Sequence, residues 1–120
     1  MQMRTIGTTM ARPWLTAAVM LILAWPVACR AVDPVVLTLK DHKFTPDNVT
    51  VPSGQRIRIE VINNDDTVEE FESYDLKIEK IVVAGGRVTV FAGPLKPGQY
   101  KFFGDYHPDQ AFGLLIAVTP

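Results

Sequence analysis

The chain has 120 residues, with 12 Lys and Arg against 13 Asp and Glu for a formal charge of −1, and 48% of it is hydrophobic. Such a length holds one small domain and excludes two full cores. No basic stripe runs along the sequence to neutralise phosphates, which argues against a nucleic-acid partner. Cys29 is the only cysteine, so no disulfide closes within the chain.

Arg4 and Arg12 precede an apolar run over residues 14–25, followed by Pro26, Val27, Ala28, Cys29, Arg30 and Ala31. A basic start, about a dozen apolar residues and a small-residue end form the pattern of a secretory signal. The run falls short of the roughly 20 apolar residues that a membrane span needs. Residues 1–31 are therefore read as a signal peptide cut after Ala31, and residues 32–120 as the exported domain, with the bacterial periplasm as its compartment. Lipid attachment at Cys29, which follows Ala28 as in a lipobox, is the rival reading, though Pro26 fits that box poorly. The exported part keeps nine bases against all thirteen acids, a formal charge of −4. Cys29 and all four methionines (Met1, Met3, Met10, Met20) fall in the leader, so the exported part is free of sulfur.

Strand signals dominate the exported part. Residues 35–39 alternate modestly, whereas residues 56–62 alternate cleanly. Ile57, Ile59 and Val61 are expected to face a core, and Arg56, Arg58 and Glu60 to face water. Residues 76–83, 87–91, 100–103 and 113–118 supply four more candidates. Turn residues separate them: Pro52-Ser53-Gly54, Gly85-Gly86 read as a hairpin turn, and Pro94 through Gly98. Short strands at this spacing predict an all-β antiparallel sandwich. Six acids (Asp65, Asp66, Glu69, Glu70, Glu72, Asp75) lie between positions 65 and 75 without a base, and this stretch reads as an acidic loop.

Gly98-Gln99-Tyr100, the strand to Phe103, the loop Gly104-Asp105-Tyr106-His107-Pro108 and the final strand after Gly113 resemble the C-terminal metal hairpin of the cupredoxins. The segment from His42-Lys43-Phe44-Thr45-Pro46 through Val51-Pro52-Ser53-Gly54 to Asn63 resembles their N-terminal half. The resemblance implies a cupredoxin-like Greek-key β-sandwich with Tyr100 as a tyrosine corner. In that family a cysteine ligand sits three residues before the histidine and a methionine shortly after it. Here Gly104 holds the cysteine position, and Gln110, Ala111 and Phe112 occupy the methionine region. The family's other histidine, expected near Asn63-Asn64-Asp65-Asp66, is replaced by carboxylates. The run Glu69-Glu70-Phe71-Glu72-Ser73, with Leu76, Glu79-Lys80 and Pro94-Leu95-Lys96-Pro97-Gly98, is similar to the periplasmic EfeO-type cupredoxin domain that accompanies bacterial high-affinity iron permeases.

Blue copper needs a thiolate with two imidazoles, which this sulfur-free part cannot supply. Carboxylates with imidazole suit iron, Cu(II), manganese or zinc. The candidate metal ligands are His107, Glu69, Glu70, Glu72, Asp105 and His42. Alternation leaves open which of Glu69 and Glu70 points inward. Asp105 and His107 share a side if the strand continues through them. His42 is read either as a ligand, in this site or in a second one, or as a surface residue oriented by Asp41. Glu79 reads as a surface pair with Lys80, and Tyr106 as packing over the site. The bland alternative for the acidic run is a solvated face, and for His107 a solvated loop position.

The resemblance implies a copper or iron cofactor and two partners, an inner-membrane iron permease and a periplasmic iron-binding protein. Binding without catalysis is the leading expectation. The alternatives are a copper-dependent ferroxidase or electron-transfer component, and a metal-free docking subunit of the permease.

Overall fold

A computed structural model describes residues 2–4, 7, 10, 24–27 and 31–120. Cys29 and most of residues 1–31 lie outside the described residues, and with them the signal-peptide and lipid-anchor readings. Nine strands are present among the described residues: β1 (Val35–Lys40), β2 (Lys43–Thr45), β3 (Asn48–Pro52), β4 (Ile57–Asn63), β5 (Glu69–Ser73), β6 (Ile78–Val82), β7 (Arg87–Ala92), β8 (Gly98–Gly104) and β9 (Phe112–Val118).

They form two sheets, ordered β2-β1-β4-β7 and β3-β9-β8-β5-β6. The sandwich is as expected, with one refinement. β1 runs parallel to β4 and β3 parallel to β9, while the other pairs are antiparallel. Alternation within a strand carries no information on the direction of its neighbour, so these two pairs were invisible to pattern reading. Gly85-Gly86 is not a hairpin turn. It carries the chain from β6 in one sheet to β7 in the other.

The inward residues of both sheets make one core. Ile57, Ile59 and Val61 of β4 are buried as their alternation predicts, and Leu37, Leu39, Val82 and Leu115 join them. Phe44 of β2 crosses between the sheets to meet Phe71 of β5 and Phe102 of β8, with ring centroids 5.9 and 5.4 Å away and 5.6 Å between the latter two. Aromatic contacts of this kind add to plain burial. Their placement matters for what lies above them. Phe44, Phe71 and Phe102 each stand two residues along the chain from His42, Glu69 and Gly104 respectively, so the trio floors one end of the sandwich.

Tyr100 is the expected corner, its hydroxyl donating to Lys96 O at 2.8 Å. The acidic stretch is not all loop. Glu69–Ser73 is strand β5, paired with both β6 and β8. Its residues alternate between buried (Glu69, Phe71, Ser73) and half-buried (Glu70, Glu72). One charged residue at an inward position, Glu69, and two more on the outer face hide this strand from hydrophobic alternation.

Candidate metal centre

Three segments bring side chains to the end of the sandwich above the phenylalanine trio. The first is the two-residue turn Asp41-His42 between β1 and β2. Both residues have positive φ, 50° and 56°, as a type I′ hairpin turn requires. That conformation is unfavourable for non-glycine residues, and Asp65 offsets the cost. Its carboxylate accepts from Asp41 N at 2.6 Å and from His42 N at 2.9 Å. Burial pushes the Asp65 carboxyl up, but these backbone donors, with the charges of His42 and Lys40, leave it below the ordinary carboxylate range.

Asp65 is itself placed by Asn63, which is fully buried at the end of β4. The Asn63 amide donates to Thr67 O and Val82 O, and its carbonyl oxygen accepts from Asp65 N. This loop thus folds around an asparagine and presents a buried carboxylate to the histidine turn. Asp65, and not Asp41, orients His42. Its signal in the sequence was only its position directly after Asn63-Asn64.

The second segment is β5, which turns Glu69 inward and leaves it 2% exposed. The third is the β8–β9 loop, closed by hydrogen bonds from His107 N to Gly104 O and from Ala111 N to His107 O. A buried carboxylate is costly unless it is paired and hydrogen-bonded. Glu69 has both: Oε1 accepts from Tyr106 N at 2.9 Å and Glu70 N at 3.0 Å, and Oε2 stands 2.7 Å from His107 Nδ1. Tyr106 therefore contributes its backbone N–H to the site.

His42 and His107 stack, with ring centroids 3.6 Å apart and planes 15° from parallel. His42 is thus part of the same constellation and not a separate site. Its Nδ1 is buried without a hydrogen-bond partner, 3.5 Å from Asp65 Oδ2. One ligand atom from each of His42, Glu69 and His107 lies within 4.8 Å of the others. Ions bound by nitrogen and oxygen at roughly 2.0–2.2 Å draw such atoms slightly closer. Two near-parallel rings have no common in-plane point nearby, so sharing an ion requires one imidazole to turn out of the stack.

Glu70, Glu72 and Asp105 do not join this group. Strand β8 ends at Gly104, so Asp105 does not share the side of His107; it turns outward, with its N–H donating to Glu70 O at 2.9 Å. The three carboxylates form a separate cluster on the outer face of the five-stranded sheet. Burial raises the Glu70 carboxyl, as do the neighbouring Glu79 and Glu72 carboxylates, while the nearby Tyr106 hydroxyl opposes them. Glu72 is raised by burial and by the charges of Asp105 and Glu79. The Tyr74 hydroxyl rises beside Glu72, and burial and Glu70 raise that of Tyr106. Glu79 stands opposite Glu72 in register and belongs to this acidic patch. It does not pair with Lys80, because successive strand residues point to opposite faces.

Residues 13–117 match the cupredoxin-like domain family. The chain belongs to that family. An uncharacterized protein of Rickettsia prowazekii (strain Madrid E) is 51% identical over 82 residues, covering 68% of this chain and 66% of that protein, so the chain spans about two thirds of that relative's length. A purple cupredoxin from Nitrosopumilus maritimus superposes with a TM-score of 0.55 at 17% identity, over 70% of this chain and 99% of its own. Amicyanin from Paracoccus versutus gives 0.57 at 17% identity, over 76% and 87%. Likeness at these identities speaks for the fold alone.

Cupredoxin-like domains commonly hold copper, and the donors of this one can be tested against that. A blue-copper centre needs thiolate sulfur, and the group at this end consists of two imidazoles and a carboxylate. A blue site does not fit. Two histidines with one carboxylate do fit a non-blue Cu(II), ferrous iron or zinc.

Proposed function

We propose that this protein is an exported metal-binding member of the cupredoxin-like family that holds a copper or iron ion through His42, Glu69 and His107. The convergence of these three side chains at one end of the sandwich is the observation that carries the reading. A bound ion would supply a charge-neutralising centre, and redox capacity if it is copper or iron. The chain's own residues gather the donors for it, and one imidazole turns out of the stack to bind. Asp65 fixes the His42 turn, Tyr106 N and Glu70 N fix the Glu69 carboxylate, and the phenylalanine trio closes the floor to water.

A role in iron acquisition, with an inner-membrane iron permease and a periplasmic iron-binding protein as partners, is supported by the resemblance to the EfeO-type domain. The leader pattern supports a periplasmic location. Titration calorimetry of the purified protein with Cu(II), Fe(II), Fe(III) and Zn(II), beside His107→Ala, tests the binding claim. One-to-one binding that is lost in the variant is expected. Binding undiminished in the variant would refute it by moving the ion to another site, and no binding of any ion would refute it and favour a metal-free docking subunit.

A further inference from the structure

Gly104 closes β8, and its φ lies outside the left-handed region, so no backbone requirement explains a glycine there. Space does. A Cβ at this position would stand 2.7 Å from Glu69 Cδ, 2.9 Å from Glu69 Oε2 and 2.9 Å from Ala111 Cβ. The volume that a side chain at 104 needs is filled mainly by the Glu69 carboxyl group, with the Ala111 methyl closing the other side.

Neither partner has room to retreat. Gly104 N donates to Ala111 O at 2.8 Å, and its carbonyl accepts from His107 N at 3.0 Å. Gly104 also stands in register with Phe71 of β5, two residues along from Glu69. The carboxylate is pinned by Tyr106 N, Glu70 N and His107 Nδ1.

We infer that Gly104 is the specificity-determining position of this site: the side chain it lacks is what admits the Glu69 carboxylate beside His107, and so fixes an oxygen-and-nitrogen donor set. The inference rests on the metal-binding reading for its consequence, but its steric half stands alone. Any side chain at 104, a thiol included, competes with the carboxylate for one volume. Oxygen from position 69 and sulfur from position 104 are therefore mutually exclusive. Removing the Glu69 side chain vacates the space that the thiol of a Gly104→Cys variant would enter, next to His107 and His42.

A four-member cycle tests this: wild type, Gly104→Ala, Glu69→Ala, and the two combined, each unfolded by denaturant without metal and titrated with Cu(II). Neighbouring groups that share one volume show non-additive effects. Gly104→Ala is expected to lower the unfolding midpoint strongly in the wild type and much less beside Glu69→Ala, where only the Ala111 contact remains. It is also expected to weaken Cu(II) binding by about ten- to hundredfold, the range seen when groups supporting a metal site are disturbed. The combination Glu69→Ala with Gly104→Cys is expected to give an intense visible thiolate-to-copper absorption with Cu(II), absent from the wild type.

Equal cost of Gly104→Ala in both backgrounds, or a folded Glu69→Ala beside an unfolded double variant, would overturn the inference. Undiminished Cu(II) affinity in Gly104→Ala, or a colourless copper-bound cysteine variant, would overturn it as well. A wild type that binds no ion contradicts the metal reading instead, and the metal-free cycle then judges the shared volume by itself.

Discussion

His42 carries two demands that pull in opposite directions. Its φ of 56° suits glycine better than histidine, yet its imidazole stacks on His107 and presents a buried, unpartnered nitrogen. Strained conformations that persist in a fold tend to sit at functional sites. His42→Gly relieves about 1–2 kcal/mol of left-handed strain, set against about 0.5–1 kcal/mol for the added freedom of glycine. The variant also loses the stacking on His107, worth about 0.5–1.5 kcal/mol, so it should unfold near the wild-type denaturant concentration while binding Cu(II) more weakly. A destabilised variant with unchanged affinity would show the ring to be packing only. Asp65→Ala is expected to act the other way. It leaves the N–H groups of Asp41 and His42 without their acceptor and should cost about 1–3 kcal/mol in denaturant unfolding, with weaker ion binding because His42 is no longer held.

At the scale of elements, legibility followed how local the determining contacts are. Strand β4 was readable because Ile57, Ile59 and Val61 alternate with polar residues, and β9 because it is a simple apolar run. Strand β5 was not, because Glu69 takes an inward position that a charge can occupy only with partners supplied from residues 106 and 107. The short strands β2 and β3 carry too few residues to show a period. The nomination of His107 and a carboxylate for the candidate site came from the hairpin that resembles a metal loop, and the structure brings His107 beside Glu69. The joining of His42 to them stayed open between a ligand and a surface reading, since it depends on Asp65 and on the packing of β2 across the core. Phe44 is the hinge of that packing. Phe44→Ala should cost about 3–5 kcal/mol, read as a fall in the unfolding midpoint. Tyr100→Phe serves as a contrast: losing one hydrogen bond to Lys96 O should cost only about 0.5–1.5 kcal/mol and leave ion binding unchanged.

For the whole molecule, the sandwich was legible from two motif halves in the right order, because each half places its turn residues and core residues at fixed offsets. The sheet order and the two parallel pairs were not, since they are set by which edges meet after the core forms. The fold supplies one end with a floor of three aromatic rings, where two imidazoles and a carboxylate stand together without a thiolate. An ion that binds only the folded state adds to its stability, by about 2.7 kcal/mol at a hundredfold excess over Kd. Thermal unfolding with and without the preferred ion should show that gain in the wild type and lose it in His107→Ala. Counting the imidazoles around bound Cu(II) by electron paramagnetic resonance bears most directly on the proposed centre. Nitrogen hyperfine coupling from two histidines, reduced to one in His42→Gly, is the expected result, together with the wide copper splitting of a site without thiolate. A spectrum with one imidazole or none in the wild type would place the ion elsewhere, for instance on the outer carboxylates Glu70, Glu72 and Asp105, and would contradict the centre described above.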